Sequence, residues 1–342
     1  MIEFLTKGML TTVQDSGRPA FQRFGVPVAG AMDKFSFHVA NILVGNNRSC
    51  EAIEVTIVGP SIRFHSANIF AICGGDFSPT LNGQPIQNNR AYLAEAGSVL
   101  KLGAAKWGSR CYIAFAGGFA IDKVMGSKAT YLKGKIGGLD GRAIVAGDRI
   151  AFAAPKTDLP GMAHRALGHD YWMDRSDPQI VRVIEGPQID YFSKEGIDAF
   201  LSAPYTVTAE NDRMGYRLSG PSISHKEGMD GNIISDGVPL GAIQVAKDQP
   251  IVMMADRQTT GGYTKIASVI SVDLPYIAQS KAGDKLRFVM TDIAHAQELY
   301  IQRMQFFRGL IRQMDELNTK ASHIYKIAVN GHNFNVAVRE YE

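Results

Sequence analysis

Cysteine is scarce in this sequence of 342 residues, which contains only Cys50, Cys73 and Cys111. Their odd number and wide spacing exclude a disulfide framework or a paired zinc motif, and they favour reduced thiols in a cytoplasmic protein. No apolar run approaches the length of a membrane-spanning helix, and the N-terminus lacks the layout of a secretion signal, so we expect no membrane insertion. The net charge of +3 is spread along the chain, which argues against a nucleic-acid partner.

Several catalytic and carrier motifs are also missing. The sequence contains neither the G-x-S-x-G elbow of serine hydrolases nor the P-loop and G-x-G-x-x-G nucleotide fingerprints. Its eight histidines are dispersed and form no H-E-x-x-H pair, so we predict no metal site. A Met-Lys-Met carrier segment is absent, so we expect no biotin attached to this chain.

Short apolar or alternating runs between glycine turns make up much of what is present. The chain holds 35 glycines, and its strand-like runs are residues 53–58, 68–73, 112–116, 181–184 and 286–290. Short strands separated by turn signals predict a mainly β fold of sandwich or barrel type. The length suits two domains or one large β domain.

Helices are expected to be few. Apolar residues recur at helical spacing in residues 33–43 and again in residues 292–317, where they form a broad apolar face. The sequence ends in two alternating runs around an Asn-Gly turn, residues 324–338, which predict a hairpin. Because an isolated hairpin is marginal in water, we expect this one to dock on another surface.

A turn-then-strand pattern recurs three times, at residues 96–102, 146–152 and 282–288. The repetition suggests two related β domains. Between them, residues 155–177 are rich in His, Asp, Pro and Gly and weak in periodicity, as in a linker.

The densest polar segment follows an apolar run at residues 250–255. It is typical either of a polar β-turn with one ion pair or of an anion or amide site at the end of a strand. We expect its glycine pair to adopt positive φ and to aim backbone N–H groups at a ligand. The residues concerned are Asp256, Arg257, Gln258, Thr259, Thr260, Gly261, Gly262 and Lys265.

Four more segments have a similar composition. Residues 11–19 hold Gln14, Asp15 and Arg18, which fit either an Asx-type turn or part of a site. Residues 130–142 form a glycine-rich run ending in Arg142, which fits a flexible loop or an anion cradle. Residues 211–217 and 235–245 add Arg213 and Gln244.

Taken together, these segments resemble one protein family. They read TVQDSGR at 12–18, GGLDGR at 137–142, NDRMGYR at 211–217, and SDGVPLGAIQV at 235–245 leading to DRQTTGGY at 256–263. They are similar to the biotin-dependent carboxyltransferase family, also called allophanate hydrolase subunit 2. Its members include the C subunit of 5-oxoprolinase, the antagonist of a sporulation-kinase inhibitor, and the matching region of urea carboxylase. The resemblance runs from about residue 4 to about residue 317.

The resemblance implies two cyclophilin-like β-barrels with few helices and a C-terminal helix. We assign residues 1–165 and 166–291 to the barrels, 292–318 to the helix, and 319–342 to a hairpin tail that resembles the start of a biotinyl domain. The resemblance further implies ATP as a cofactor, a partner of the allophanate hydrolase subunit 1 type (the B subunit type of 5-oxoprolinase), and a separate ring-opening partner of the A subunit type.

The implied chemistry is activation of an amide, which needs cations at the carbonyl oxygen as it gains charge. For catalysis we therefore select Arg257, Lys265, Asp256 and Asp15. For substrate binding we select ten residues: Gln14, Arg18, Arg142, Arg213, Gln244, Gln258, Thr259, Thr260, Gly261 and Gly262.

Three functions fit this family. The first is a subunit of an ATP-dependent 5-oxoprolinase that opens a cyclic amide to glutamate. The second is a carboxyltransferase that moves CO2 from carboxybiotin to urea or another amide. The third is a non-catalytic antagonist of a kinase-inhibitor partner.

Overall fold

The first half of the chain is built from two antiparallel sheets. The computed structural model describes residues 1–154, 159–163, 165–168, 176–229, 231–319, 323–329 and 332–338. The strands of the first half are β1 (Ile2–Thr6), β2 (Leu10–Gln14), β3 (Ala52–Thr56), β4 (Ser61–Phe64), β5 (Asn68–Asp76), β6 (Thr80–Leu81), β7 (Gln84–Pro85), β8 (Arg90–Ala94), β9 (Val99–Lys101), β10 (Trp107–Phe115) and β11 (Arg149–Ile150). Its helices are α1 (Lys34–Leu43) and α2 (Leu159–Met162).

Alternation of side chains in these strands explains how the two sheets meet. One sheet has the order β11-β1-β4-β9-β6-β7 and the other β2-β3-β10-β5-β8. Their apolar faces share one core, in which Phe4, Phe64, Phe70 and Phe115 are fully buried. The other face of the β2–β8 sheet is covered by α1, whose Phe37 packs edge-on against Tyr112 of β10.

The second half forms a closed barrel. Its strands are β12 (Gln179–Glu185), β13 (Tyr205–Asn211), β14 (Gly215–Ser219), β15 (Asn232–Gly237), β16 (Ala242–Ala246), β17 (Gln249–Met253), β18 (Thr260–Tyr263), β19 (Lys265–Val269) and β20 (Lys285–Met290). The barrel order is β12-β19-β16-β17-β14-β13-β20, with β12 and β20 parallel at the closure. Strands β15 and β18 stand apart as a two-stranded ribbon. Helices α3 (Lys194–Ser202) and α4 (Leu274–Gln279) complete this half.

The last helix returns to the first half. Helix α5 (Ile293–Thr319) buries Phe307, Leu310 and Met314 in the core that α1 forms with its sheet. Beyond it, β21 (His323–Val329) and β22 (His332–Val338) pair antiparallel as a separate two-stranded sheet. Within the described ranges, no helix combines the length and apolar composition needed to cross a membrane.

The predicted mainly β fold with few helices and a C-terminal helix is confirmed. Each of the five strand-like runs overlaps a strand, although residues 57–58 and 116 lie beyond the ends of β3 and β10. The C-terminal hairpin is also present, whereas helices α3 and α4 were not predicted. The sequence signal at the start of α3 is the single N-cap residue Ser193. The prediction of α1 used apolar spacing over a whole helix instead, so this cap was missed. The domain boundaries stay predictions, and residues 155–158, 164 and 169–175 of the predicted linker lie outside the described residues.

Candidate functional site

The polar segment at residues 255–260 lies where the second half meets the first. It follows β17, and the carbonyl of Ala255 accepts a hydrogen bond from the N–H of Ala29 in the first half at 3.1 Å. The N–H of Asp256 in turn donates to the carbonyl of Arg213 at 2.8 Å. Strand pairing and this contact therefore place the segment at the junction of the two halves.

Lys265 is the centre of a polar cluster at one end of the barrel. It opens β19 opposite Gln244 of β16, and only 1% of its surface is exposed. Its ammonium forms an ion pair with Oδ2 of Asp236 at 3.3 Å, and Nζ has no hydrogen bond to any described residue. Nε2 of Gln244 is also buried without a hydrogen bond among the described residues. Two buried N–H donors at one strand pair are therefore left for a ligand.

The ribbon of β15 and β18 supplies the acid of this cluster. Asp236 is exposed on β15, and Lys265 acts with the N–H of Gly237 to lower the carboxyl pKa below its ordinary value, the N–H having the larger effect. Gly261 lies opposite Asp236 in the ribbon register. The carboxylate is thus held beside the ammonium by the ribbon.

The glycine pair in β18 works differently from the prediction. Neither Gly261 nor Gly262 has positive φ, because both lie in an extended strand, and the prediction of a positive-φ turn is wrong. A Cβ on Gly261 would lie 2.5 Å from Nε2 of Gln244 and 2.7 Å from Nε2 of Gln258. Glycine is needed here so that two amide side chains can approach the strand. Thr259 accepts from the N–H of Val238 through its carbonyl at 3.1 Å, and Thr260 is exposed.

Arg257 is a buried cation held by backbone carbonyls. Its Nε donates to Val238 at 2.8 Å and its Nη1 to Met254 at 3.4 Å. Burial lowers the pKa of Arg257 to about 10, and burial together with the charge of Arg257 lowers the pKa of Lys34 at the start of α1. In the described ranges neither cation forms an ion pair with an acid. Two cations without a counter-ion favour an anionic ligand.

Arg213 and Asp256, by contrast, are committed to each other. Nε and Nη2 of Arg213 donate to the two carboxylate oxygens of Asp256, both at 3.0 Å. Nη1 of Arg213 donates to Glu54 of the first half, and its Nη2 also donates to the carbonyl of Gly30 at 2.6 Å. Burial opposes the ionisation of Glu54, but the charges of Arg213 and Arg110 outweigh it, so the pKa of Glu54 is lowered. This geometry favours a role for Arg213 and Asp256 in joining the halves.

Asp15 is likewise occupied by protein donors. Its carboxylate accepts from the N–H of Gly17 at 2.7 Å, the hydroxyl of Ser127 at 2.7 Å and the N–H of Lys128 at 2.6 Å. Such a saturated carboxylate organises the loop at residues 127–130. A catalytic role for Asp15 stays a prediction, and the geometry favours positioning.

Gln14 and Arg18 are fully buried and only partly satisfied. Nε2 of Gln14 donates to the carbonyl of Thr130 at 3.0 Å, and Nη2 of Arg18 donates to the carbonyl of Ala129. Among the described residues, Oε1 of Gln14 and both Nε and Nη1 of Arg18 have no hydrogen-bond partner. Unsatisfied buried groups of this kind are expected where a ligand or an ordered water binds.

Arg142 is not brought to these residues. Its two terminal nitrogens donate to both carboxylate oxygens of Asp148, at 2.7 and 2.9 Å. The predicted role of Arg142 in binding a substrate anion is therefore unsupported by the geometry, since its guanidinium is already used in a bidentate surface pair. Hydrogen bonding to Asp148, the largest effect, raises the pKa of Arg142.

Two adjoining clefts open near these groups. One, of about 390 Å³, is lined by Gln244, Gln258 and Tyr263. The other, of about 530 Å³, has apolar walls that include Met9 and Leu132, and Arg213 and Asp256 also line it. Lys133 lines both clefts and contacts the sulfur of Met214. The larger cleft has the size and the apolar walls of a small-molecule site, and Lys133 and Lys281 add two cations to its lining.

Sequence reasoning missed three residues that the structure places in these clusters. Asp236 lies within the polar segment at residues 235–245 but was not selected, although an acid within such a segment is itself a signal. Glu54 and Lys34 gave no local signal. Arg213, which binds Glu54, and Arg257, whose charge acts on Lys34, are both far away in the chain.

Comparison with known proteins identifies the family. Residues 24–290 match the family model of the carboxyltransferase domain, subdomains A and B. The chain belongs to this family. It is 34% identical to the C subunit of 5-oxoprolinase from Escherichia coli over 319 residues, which cover 93% of this chain and all of that protein. The Haemophilus influenzae protein of the same name is 32% identical over 322 residues, 93% of this chain and all of that protein.

Members of the carboxyltransferase family also occur inside larger enzymes. Urea amidolyase of Saccharomyces cerevisiae is 34% identical over 303 residues, which are 84% of this chain and 16% of that protein. The crystal structure of the K. lactis urea amidolyase superposes with a TM-score of 0.85 at 30% identity, over 90% of this chain and 20% of that one. The resemblance inferred from the sequence motifs is confirmed.

Proposed function

We propose that this carboxyltransferase-family protein is a subunit of an ATP-dependent 5-oxoprolinase. The observation that carries the proposal is the pair of buried, unsatisfied donors on Lys265 and Gln244 beside a cleft of about 390 Å³. Similarity to the C subunit of 5-oxoprolinase over the whole of that protein supports the choice of substrate. The reaction opens the ring C–N bond of a cyclic amide and adds one water, giving glutamate.

Lys265 and Gln244 act on the amide carbonyl. As the carbonyl carbon is attacked, its oxygen gains negative charge, and donors fixed in a water-poor site stabilise that charge without reorganising. Lys265 supplies a positive charge and Gln244 supplies an N–H group. Asp236 holds the ammonium at 3.3 Å, and Gln258, whose Nε2 lies beside the same Cβ position of Gly261 as that of Gln244, orients the amide.

Arg257 and Lys34 bind the anionic co-substrate or its transferred group. Among the described residues neither cation forms an ion pair with an acid, as a phosphate or carboxylate site requires. ATP, when bound, would supply a phosphoryl group for the amide oxygen, which would make the amide carbon easier to attack. The cleft with Lys133 and Lys281 is the candidate place for the nucleotide.

The proposal includes partner subunits and a cytoplasmic location. A protein of the allophanate hydrolase subunit 1 type would complete the site, and a ring-opening partner of the A subunit type would finish the reaction. The relatives are named as one subunit of 5-oxoprolinase, which is consistent with such an assembly. Cys73 and Cys111 are buried free thiols, a state that the cytoplasm maintains.

A second candidate is transfer of a carboxyl group to urea. It is supported by the similarity of this fold to urea amidolyase, with a TM-score of 0.85. The same donors on Lys265 and Gln244 would then polarise the urea carbonyl. The two functions differ in product, so one assay separates them.

The test is reconstitution of the full chain with partner subunits of the B and A types of 5-oxoprolinase. The proposal predicts ATP-dependent release of glutamate from 5-oxoproline, with no need for bicarbonate or a biotin carrier. Bicarbonate-dependent and biotin-dependent carboxylation of urea, without glutamate release, would overturn it in favour of the second candidate. A stable complex without either activity would favour a non-catalytic antagonist.

A further inference from the structure

Gln14 and Arg18 are tied to one short segment of the first half. Gln14 is anchored on the carbonyl of Thr130, and Arg18 on the carbonyl of the preceding residue, Ala129. The two side chains therefore end next to each other on the same stretch of backbone. Gly137 of the glycine-rich loop packs directly against the guanidinium of Arg18. A Cβ at this position would lie 2.7 Å from Nη2 of Arg18, so only glycine allows this approach.

One nitrogen of each side chain donates to its backbone carbonyl, and other polar atoms of both side chains have no hydrogen-bond partner among the described residues. Arg18 retains Nε and Nη1, and Nη2 lies between these two nitrogens with a second N–H beyond the one given to Ala129. One edge, Nε with Nη2 or Nη1 with Nη2, can therefore hold a carboxylate through two parallel hydrogen bonds. Gln14 retains Oε1, which can only accept. Both residues are 0% exposed, so each unused atom bears a full desolvation penalty unless a ligand or water meets it.

Nearby acids do not neutralise Arg18. Asp15 and Asp256 exert an attractive charge on it, but the carboxylate of Asp15 is held by Gly17, Ser127 and Lys128, and that of Asp256 by Arg213. In the described part of the chain neither acid hydrogen-bonds to Arg18. The guanidinium is thus preorganised for an anion from outside the chain.

We propose that Arg18 and Gln14 form a subsite for a ligand that carries a carboxylate next to an amide N–H group. The carboxylate takes one edge of the Arg18 guanidinium, and the adjacent N–H donates to Oε1 of Gln14. A cyclic amide with a carboxylate on the carbon beside its nitrogen, as in 5-oxoproline, has this arrangement, and so does a urea carboxylated on nitrogen. Urea itself lacks the carboxylate. This inference rests on the proposed function and names the part of the substrate that the first half recognises.

Ligand analogues test the subsite without altering the protein. Affinities are measured by calorimetry on the full chain, alone and co-purified with its partner subunits. The probes are 5-oxoproline, 2-pyrrolidinone, which lacks the carboxylate, N-methyl-5-oxoproline, which lacks the N–H, and urea. We expect loss of the carboxylate to weaken binding at least about tenfold, since a charge-assisted bidentate pair is lost. Equal affinity for 5-oxoproline and 2-pyrrolidinone, or no binding of any carboxylate-bearing amide in either form, would overturn the inference.

An arginine variant assigns the effect to Arg18. Arg18→Lys keeps a positive charge but cannot form the bidentate pair, so the preference for 5-oxoproline over 2-pyrrolidinone should shrink toward one. Arg23→Lys, on an exposed arginine of the neighbouring loop, is the matched control and should retain the wild-type preference. An unchanged preference in folded Arg18→Lys would contradict the assignment.

The outcomes for the subsite and for the proposed function are separable. Glutamate release from 5-oxoproline with no preference for the carboxylate leaves the function standing and removes the subsite. Absence of glutamate release together with a preference for carboxylated amides over urea removes the function and leaves the subsite, which then serves the carboxylated urea.

Discussion

Arg213 in the second half and Glu54 in the first are joined by a buried hydrogen bond, although 159 positions separate them in the chain. The same guanidinium also binds Asp256 through two bonds of 3.0 Å. One arginine therefore fixes the segment that carries Arg257 and Gln258 against the first half. The geometry of the candidate site depends on this contact.

Removal of Arg213 should destabilise the fold strongly. Arg213→Met leaves Asp256 buried without its ion-pair partner and leaves Glu54 with the more distant Arg110 at 4.0 Å, and breaking a buried pair typically costs about 3–5 kcal/mol. Urea unfolding should report this loss as a lower midpoint. The control Arg217→Met removes an exposed arginine paired with exposed Glu210 and should change stability by less than about 0.5 kcal/mol. Similar midpoints for the two variants would contradict a joining role for Arg213.

Acid should weaken the packing of α1 against α5 through His38. Burial lowers the pKa of His38 from 6.5 to about 4, and its ring also contacts Phe307 of α5. The unfolded state binds the proton more tightly, so the stability due to neutral His38 is present above pH 6.5 and is lost as pH falls toward 4.

Unfolding free energies measured between these pH values test this linkage. His38→Gln should flatten the pH dependence in this window, whereas His295→Gln, on an exposed face of α5, should leave it unchanged. An equal slope in wild type and His38→Gln would show that other groups cause the dependence.

A methyl group on Gly261 should damage the site and spare the fold. In Gly261→Ala the new Cβ must push the amides of Gln244 and Gln258 away from their positions. We expect turnover to fall at least about tenfold, because small displacements of donors have large effects on catalysis. Gly237→Ala is a matched control on the same ribbon, since its Cβ would meet no atom within 4 Å. Normal turnover in folded Gly261→Ala would show that the amide positions are unimportant.

Loss of the charge on Arg257 should slow turnover without dissociating the complex. Arg257→Gln removes a cation that no described acid neutralises, and we expect at least about a tenfold loss. Arg287→Gln removes an exposed arginine of β20 and serves as the control for turnover. Size-exclusion chromatography checks the complex in both variants. A dissociated Arg257→Gln complex would indicate a structural role instead.

Local patterns predicted more of the fold than of the site. Alternating apolar residues identified strands such as β5 and β10, and two alternating runs around an Asn-Gly turn identified the C-terminal hairpin, because these signals act between near neighbours. The contacts of the arginines could not be predicted from such local patterns. Arg142 finds Asp148 nearby, Arg213 finds Glu54 across the fold, and Arg18 keeps free nitrogens. Composition gives all three the same chemistry, and only tertiary contacts separate them.

Gly261 shows the same limit. A glycine pair in a polar segment is typical of a turn with positive φ, and that prediction was wrong. The reason for glycine is the approach of Gln244, a residue on another strand, to its Cα. Such a steric requirement has no signature in the neighbouring sequence.

Stabilisation of charge on an amide carbonyl by Lys265 is tested most directly by the turnover of a Lys265 variant in the assembled enzyme. The complex is reconstituted with wild type, Lys265→Met and Lys285→Met, the last being a matched change on exposed Lys285 of β20. We predict that ATP-dependent glutamate release falls at least about tenfold in Lys265→Met and is unchanged in Lys285→Met. Wild-type release by a folded, assembled Lys265→Met complex would contradict this role of Lys265.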